Sequence, residues 1–175
     1  MSETPHALSE SIVVGYDGSA AAGRAVAHAA HLARPGTRLV VVFGYGSVPE
    51  GIGQLKTDHA LDEQERHGHA ALGRLTDECG EDLTGIDYET EVRPEPAAQA
   101  LVEAGRAHGA EEIVVGTRGF GDPRTWLGSV AHELLRIADR PVVVVPPAER
   151  AIARPAMRAV EPHPHRHPSR FGTPS

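Results

Sequence analysis

Two glycine-bearing segments of the chain carry residue types that can bind an anion. Residues 15–19 read GYDGS, and residues 116–130 begin GTRGFG and end LGSV. Because glycine has no Cβ, its backbone N–H group can approach an anion closely. Arg118 adds a positive charge within the second segment. Together the two segments predict a site for a phosphate-bearing ligand.

The end of the second segment and Asp17 supply polar groups for such a ligand. Gly128 and Ser129 are predicted to open a helix, and a helix start offers free N–H donors and the positive end of its dipole. The Ser129 hydroxyl can cap that helix and donate to a phosphate oxygen. The Asp17 carboxylate suits a ribose hydroxyl or the N–H of a base. The alternative is structural: the glycines form turns, Ser129 only caps a helix and Asp17 only stabilises a turn.

The elements that must position these loops follow from the hydrophobic pattern. Apolar runs predict strands at 11–16, 38–43, 86–93, 112–115 and 142–145, and helical patterns occupy 20–33, 55–79, 96–108 and 128–138. Near-continuous Val and Ile runs in four of the strands are typical of strands buried on both faces by crossover helices. The pattern therefore predicts an α/β fold, a doubly wound five-stranded parallel sheet with helices on both faces. Ligands of such sheets bind outside the carboxyl ends of the strands.

Length and composition set the class of protein. The 175 residues suit one domain, and the net charge of -7 disfavours a surface for nucleic acid or for an anionic membrane. No signal peptide or membrane-spanning run is present in the sequence, so we expect a cytoplasmic protein. We expect residues 1–10 to be flexible, residues 11–147 to form the domain, and the Pro- and His-rich residues 148–175 to be disordered.

No catalytic constellation and no metal site stands out. Cys79, the single cysteine, has no activating neighbour in the sequence, so an inert thiol is expected. His163, His165 and His167 alternate near the end of the chain and could capture a metal, but a solvated low-complexity segment is the preferred interpretation. The lysine-bearing Walker phosphate loop is absent as well.

Four segments, taken in order, give a family resemblance. They are IVVGYDGS at 12–19, EIVVGTRG at 112–119, LGSV at 127–130 and RPVVVVP at 140–146. Over residues 11–147 the chain resembles the universal stress protein family. The resemblance implies an adenine nucleotide alpha hydrolase-like fold with strand order 3-2-1-4-5. It also implies a homodimer paired through the last strand, Val142 to Val145.

The resemblance further implies an ATP site, because one subgroup of the family binds ATP through a pattern of Gly, two residues, Gly, nine residues, and Gly-Ser or Gly-Thr. Carried over by position, the residues that would hold phosphates and ribose are Gly116, Gly119, Gly128 and Ser129. Gly15 and Asp17 would line the adenosine, and the backbone near Phe43 would meet the adenine. Arg118, Gly121 and Val130 complete the predicted nucleotide-binding set, with ATP, alone or with Mg²⁺, as the ligand.

The chain departs from this pattern in one loop. Residues 120–127 number eight where the pattern has nine, and Asp122 and Pro123 lie among them. Two hypotheses stay open on this ground. The favoured one is a nucleotide-binding, stress-response regulatory module with at most slow ATP hydrolysis; the other is a nucleotide-free dimeric interaction protein. An adenylating enzyme of a related superfamily ranks last, because the segment after the first strand lacks the serine- and glycine-rich pyrophosphate loop.

Overall fold

The computed structural model describes residues 10–46, 54–117 and 127–147, with the side chains of the second range described from residue 58. The elements in chain order are β1 Ser11–Gly15, α1 Ala20–Leu32, β2 Arg38–Gly44, α2 Gln54–Gly73, α3 Leu75–Cys79, β3 Asp87–Arg93, α4 Ala97–Ala107, β4 Glu112–Gly116, α5 Ser129–Ile137 and β5 Val142–Val145. The predicted alternation of strands and helices is confirmed. Of the predicted flexible start only Glu10 is described, and the predicted tail lies outside the described residues.

The five strands form one parallel sheet in the order β3-β2-β1-β4-β5. Val13 of the central strand is in register with Val40 on one side and with Ile113 on the other. The order predicted from the family resemblance is therefore confirmed. Because the chain leaves β1 towards β2 and later returns beside β1 as β4, the strand order reverses between β1 and β4. This reversal opens a crevice at their carboxyl ends.

Two layers of helices bury the two faces of the sheet. Val14 and Val41 face α1, α2 and α3, whereas Val13 and Val40 face α4 and α5. All four of these valines are fully buried. Successive strand residues alternate between the faces, and since both faces are covered, the sequence shows continuous apolar runs instead of polar alternation.

The prediction of one continuous helix over residues 55–79 is wrong, because the helix breaks at Arg74. Arg74 has φ −89° and ψ −5°, and its N–H bonds the Ala71 carbonyl at 3.1 Å, three residues back. Gly73, a poor helix former, precedes the break. Beyond it, α3 turns Leu75 and Cys79 into the core, where they are 1% and 4% exposed.

Few large hydrophobic side chains are exposed among the described residues. The large hydrophobic side chains exposed there are Leu32 on α1 and Leu135 on α5, at 38% and 61%. Among the residues that the structure describes, no helix has both the length and the apolar character needed to cross a bilayer.

Candidate functional site

A cleft lies at the carboxyl ends of β1, β2 and β4, at the reversal of strand order. Its empty volume is about 560 Å³, counted to include the open solvent at its mouth. The residues of the predicted site that line it are Gly15, Asp17, Phe43, Gly116 and Val130. Residues brought together from four separate segments therefore share one cavity.

The remaining predicted residues fall beside the cleft or outside the described residues. The Gly128 N–H donates to the Thr117 carbonyl at 2.6 Å, which places the start of α5 against the end of β4. Ser129 is the first residue of α5 and is exposed. Arg118, Gly119 and Gly121 lie outside the described residues, as does the shortened stretch with Asp122 and Pro123.

The turn between β1 and α1 holds Asp17 in a defined conformation. Asp17 Oδ1 accepts a hydrogen bond from the Ser19 N–H at 2.9 Å, and Ser19 Oγ accepts one from the Ala22 N–H at 3.2 Å. Gly18 between them adopts φ +82°, a left-handed conformation that favours glycine. Ser19 is thus the N-cap of α1, as the sequence predicts. The Asp17 carboxylate is thereby held at the lining of the cleft.

Packing gives the two strand-end glycines of the cleft a structural role. A Cβ at Gly116 would lie 2.7 Å from the Ala21 carbonyl oxygen of α1. A Cβ at Gly15 would lie 3.1 Å from side-chain atoms of Leu101 and Val115. The absence of these side chains lets α1 and α4 approach the ends of the strands, and the same absence keeps the floor of the cleft open.

Phe43 lines the cleft while its ring packs against α2. The ring centroid lies 5.8 Å from that of His67 in an edge contact, and a Cβ at Gly68 would lie 2.5 Å from Phe43 Cδ1. The ring is therefore held by the α2 layer. That the backbone near Phe43 meets an adenine stays a prediction.

Sequence reasoning missed Gly44, the last residue of β2, which also lines the cleft. The Tyr16 N–H donates to the Val42 carbonyl at 3.0 Å, and the register of β1 with β2 ends at the pair Gly15 and Val42. Alternation along β2 directs the N–H and C=O of Gly44 to the same side, beyond the end of β1. Gly44 thus offers a backbone donor and acceptor to the cleft, and a glycine ending an apolar strand was the available signal.

The start of α5 corrects the prediction for Ser129. Gly128, with φ −69° and ψ 160°, is the N-cap, because its carbonyl accepts the His132 N–H at 2.9 Å. Ser129 follows as the first helical residue, so its hydroxyl is one position too late to cap the helix, and no described side chain caps α5. The N–H groups at a helix start and the positive end of the helix dipole favour a negative charge.

One ionisable side chain of the cleft is strongly perturbed. Tyr16 is 3% exposed, and burial together with its hydrogen bond to Glu78 raises the pKa of the phenol far above its ordinary value. The phenol therefore stays protonated at neutral pH and acts as a donor. Within the described ranges, no three His, Cys, Asp or Glu side chains gather into a group that could hold a metal ion.

The sequence of this domain matches a known family along almost its whole length. The model of the universal stress protein family matches residues 9–146. The chain belongs to the universal stress protein family.

Two curated relatives of this universal stress protein domain illustrate the match. A universal stress protein of Mycolicibacterium smegmatis is 34% identical over 140 residues, which is 77% of this chain but 47% of the relative, so the chain spans about half of that protein. A Thermus aquaticus protein, described as a universal stress protein in a QAH/OAS sulfhydrylase 3' region, is 32% identical over 142 residues, covering 78% of this chain and 98% of the relative.

Solved structures share the architecture. One universal stress protein, whose structure was solved in complex with cAMP, is 26% identical in sequence to this chain. The match covers 78% of this chain and 96% of that protein, with a TM-score of 0.56. The fold is thus the adenine nucleotide alpha hydrolase-like fold of this family.

Proposed function

We propose that this protein binds an adenine nucleotide in the cleft and acts as a stress-response regulatory module of the cytoplasm. The observation that carries the proposal is the convergence of three kinds of polar group on one cavity. These are the Asp17 carboxylate, the backbone edge of Gly44 and the uncapped start of α5. The solved relative whose structure contains cAMP supports the same ligand class.

Each group suits one part of such a ligand. The donor and acceptor of Gly44 suit the polar edge of an adenine base, and the carboxylate of Asp17 suits a ribose hydroxyl. The first-turn N–H groups of α5 suit phosphate oxygens. We propose ATP as the ligand, with or without Mg²⁺; since the described residues offer no acidic cluster, any Mg²⁺ would be held mainly by the phosphates.

Nucleotide content and titration calorimetry test this proposal. Protein purified without added ligand is denatured, and the released nucleotides are identified by mass spectrometry. ATP, AMP and cAMP are then titrated into stripped protein, each with and without Mg²⁺, and GTP is the control for base recognition. Co-purified adenine nucleotide, or micromolar affinity that GTP does not reproduce, supports the proposal. Absence of binding at millimolar concentration would overturn it and favour the nucleotide-free interaction protein.

We also propose that the protein forms a homodimer through β5. This strand is an edge of the sheet, and Val142, Val143 and Val144 are all partly exposed there. Leu135 on the adjacent helix α5 is 61% exposed. An unpaired apolar edge favours pairing with another chain. In light scattering, Leu135→Glu should shift the dimer towards the monomer, whereas Leu32→Glu, on α1, should not. Equal molecular masses for the two variants would contradict a dimer interface at β5 and α5.

A further inference from the structure

Tyr16 connects the floor of the cleft to a distant helix. Its hydroxyl donates to Glu78 Oε2 on α3, 62 residues further along the chain. Its own N–H donates to the Val42 carbonyl at 3.0 Å. Tyr16 is therefore anchored both at its backbone and at the end of its side chain, immediately before Asp17 in the sequence.

The partner of Tyr16 is itself held by the residue at the helix break. Arg74 Nε lies 3.3 Å from Glu78 Oε1, and Arg74 Nη1 donates to the Ala70 carbonyl at 3.2 Å. The other end of the guanidinium, Nη2, lies 3.6 Å from the position that a Cβ of Gly18 would occupy. The break between α2 and α3 thus lies close to the turn between β1 and α1.

These contacts place Asp17 between two supported neighbours. Tyr16 on one side is hydrogen bonded to α3, and Gly18 on the other side, in its left-handed conformation, lies close to Arg74 and Ala71. We propose that Tyr16, Glu78 and Arg74 form a positioning triad that fixes the Asp17 carboxylate in the orientation a nucleotide needs. This inference rests on the proposed function, and it assigns to the helix break a role in ligand binding.

The protonation states that the triad needs persist at neutral pH. The hydrogen bond from Tyr16 is the main cause that lowers the pKa of the Glu78 carboxyl, and the contacts with Arg74 lower it further. Burial opposes this shift but does not reverse it. Glu78 therefore stays ionised while the phenol stays protonated. The donor and acceptor of the central hydrogen bond keep their roles across the physiological range.

The ion pair between Arg74 and Glu78 is expected to contribute little to the stability of the fold by itself. The side chains of Arg74 and Glu78 are 52% and 40% exposed, and exposed pairs of this kind stabilise proteins only slightly. What distinguishes this pair is that Glu78 also accepts a hydrogen bond from a tyrosine that is 3% exposed. We therefore expect the arrangement to orient the turn between β1 and α1, and so to preorganise the Asp17 carboxylate for a ligand.

Tyr16→Phe tests the triad, because it removes only the hydroxyl. Tyr88→Phe is the matched control. The Tyr88 hydroxyl lies 3.1 Å from Thr76 Oγ1 on α3, the helix that also carries Glu78. Tyr88 itself lies on the edge strand β3, away from Asp17. We expect Tyr16→Phe to weaken ATP binding by about fivefold and Tyr88→Phe to leave it unchanged. ATP affinity is measured by calorimetry and the melting temperature by calorimetric scanning.

A double-mutant cycle with Asp17→Asn separates positioning from general stability. If Tyr16 acts through Asp17, the loss caused by Tyr16→Phe should fall below about twofold in the Asp17→Asn background. Equal losses in both backgrounds would mean that Tyr16 does not act through Asp17. Unchanged affinity of Tyr16→Phe in the wild-type background would also overturn the inference.

Hydrogen exchange of the ligand-free protein tests the triad even if ATP does not bind. The Ser19 amide, bonded to Asp17 Oδ1, should exchange about tenfold faster in Tyr16→Phe than in Tyr88→Phe, because the turn opens more readily. Equal exchange rates would overturn the triad. Failure of the wild-type protein to bind any adenine nucleotide, with the difference in exchange intact, would overturn the proposed function alone.

Discussion

The backbone N–H of Gly128 and the carbonyl of Thr117 lie 2.6 Å apart, so the start of α5 is hydrogen bonded to the residue that follows β4. The Thr117 N–H donates in turn to the Val145 carbonyl at 2.9 Å. Both ends of the glycine loop are thereby held against the sheet. The loop is one residue shorter than the family pattern, yet its closing residue Gly128 still lies beside β4. The start of α5 therefore stays at the carboxyl end of β4.

Asp17→Asn should weaken ATP binding by about tenfold, the loss expected when a hydrogen bond to a charged group is removed. The amide oxygen of asparagine can still accept the Ser19 N–H, so the turn and the melting temperature should be preserved. Titration calorimetry measures the affinity. Asp77→Asn, at an exposed position of α3, is the control for the lost charge. Equal ATP affinities of the wild-type protein, Asp17→Asn and Asp77→Asn would mean that Asp17 does not contact the nucleotide.

Gly116→Ala should destabilise the fold independently of any ligand. The added methyl group would lie 2.7 Å from the Ala21 carbonyl oxygen, and backbone cannot yield as a flexible side chain does. We expect a loss of about 1–3 kcal/mol in the free energy of unfolding, as for other overpacked positions. Urea denaturation of ligand-free protein measures it.

Gly73→Ala is the matched control for Gly116→Ala. Apart from its chain neighbours and the nearby backbone of α2 itself, no described atom lies within 4 Å of the position of its Cβ. Alanine also favours the helix that Gly73 ends. The control should therefore be neutral or stabilising. If Gly116→Ala were as stable as this control, the packing role of Gly116 would be contradicted.

The sequence was sufficient to predict the layers of this fold. Buried strands such as β1 and β4 read as unbroken apolar runs, and their helices follow a helical period, so the five-stranded parallel sheet could be predicted from local pattern. The strand order came from the family resemblance. The break at Arg74 was missed, because Gly68 and Gly73 both occur within the helical pattern and tertiary packing decides which of them ends the helix.

The cleft was predicted in part, for a similar reason. Asp17 and the strand-end glycines could be found because they follow apolar runs directly. The contact of Tyr16 with Glu78 could not be predicted, because the two residues are 62 positions apart. Hydrophobic periodicity within one helix or strand does not specify how helix α3 is oriented against Tyr16. Ser129 was misassigned because sequence alone places a helix start only to within a residue or two.

Arg140→Ala should destabilise the protein far more than Arg136→Ala. The Arg140 side chain is 14% exposed, and its Nη1 donates to the Ala110 carbonyl at 2.6 Å and to the Gly105 carbonyl of α4. Its removal leaves two carbonyls without this donor, a loss of about 2–3 kcal/mol. The Arg136 side chain is 68% exposed and pairs with Glu133, so its loss should cost under about 0.5 kcal/mol. Similar urea midpoints for the two variants would contradict this role.

Asp139 should make the stability of the protein depend on pH in the acid range. Hydrogen bonds from Arg140 and Arg106, both at 2.9 Å, lower the pKa of its carboxyl from 3.8 to about 2. The unfolded chain therefore takes up this proton at a higher pH than the native protein does. The stabilising contribution of Asp139 is fully present above a pH of about 4 and is lost as the pH falls towards 2.

Asp139→Asn, which cannot ionise, isolates this contribution. In urea denaturation the stability advantage of the wild-type protein over this variant should be largest near neutral pH and should shrink as the pH falls from about 4. Arg106→Ala removes one of the two guanidinium partners, so in that background the advantage should be smaller and should disappear at a less acid pH. An advantage that is constant with pH would mean that Asp139 acts through packing, and its ion pairs with Arg106 and Arg140 would then carry none of the acid sensitivity.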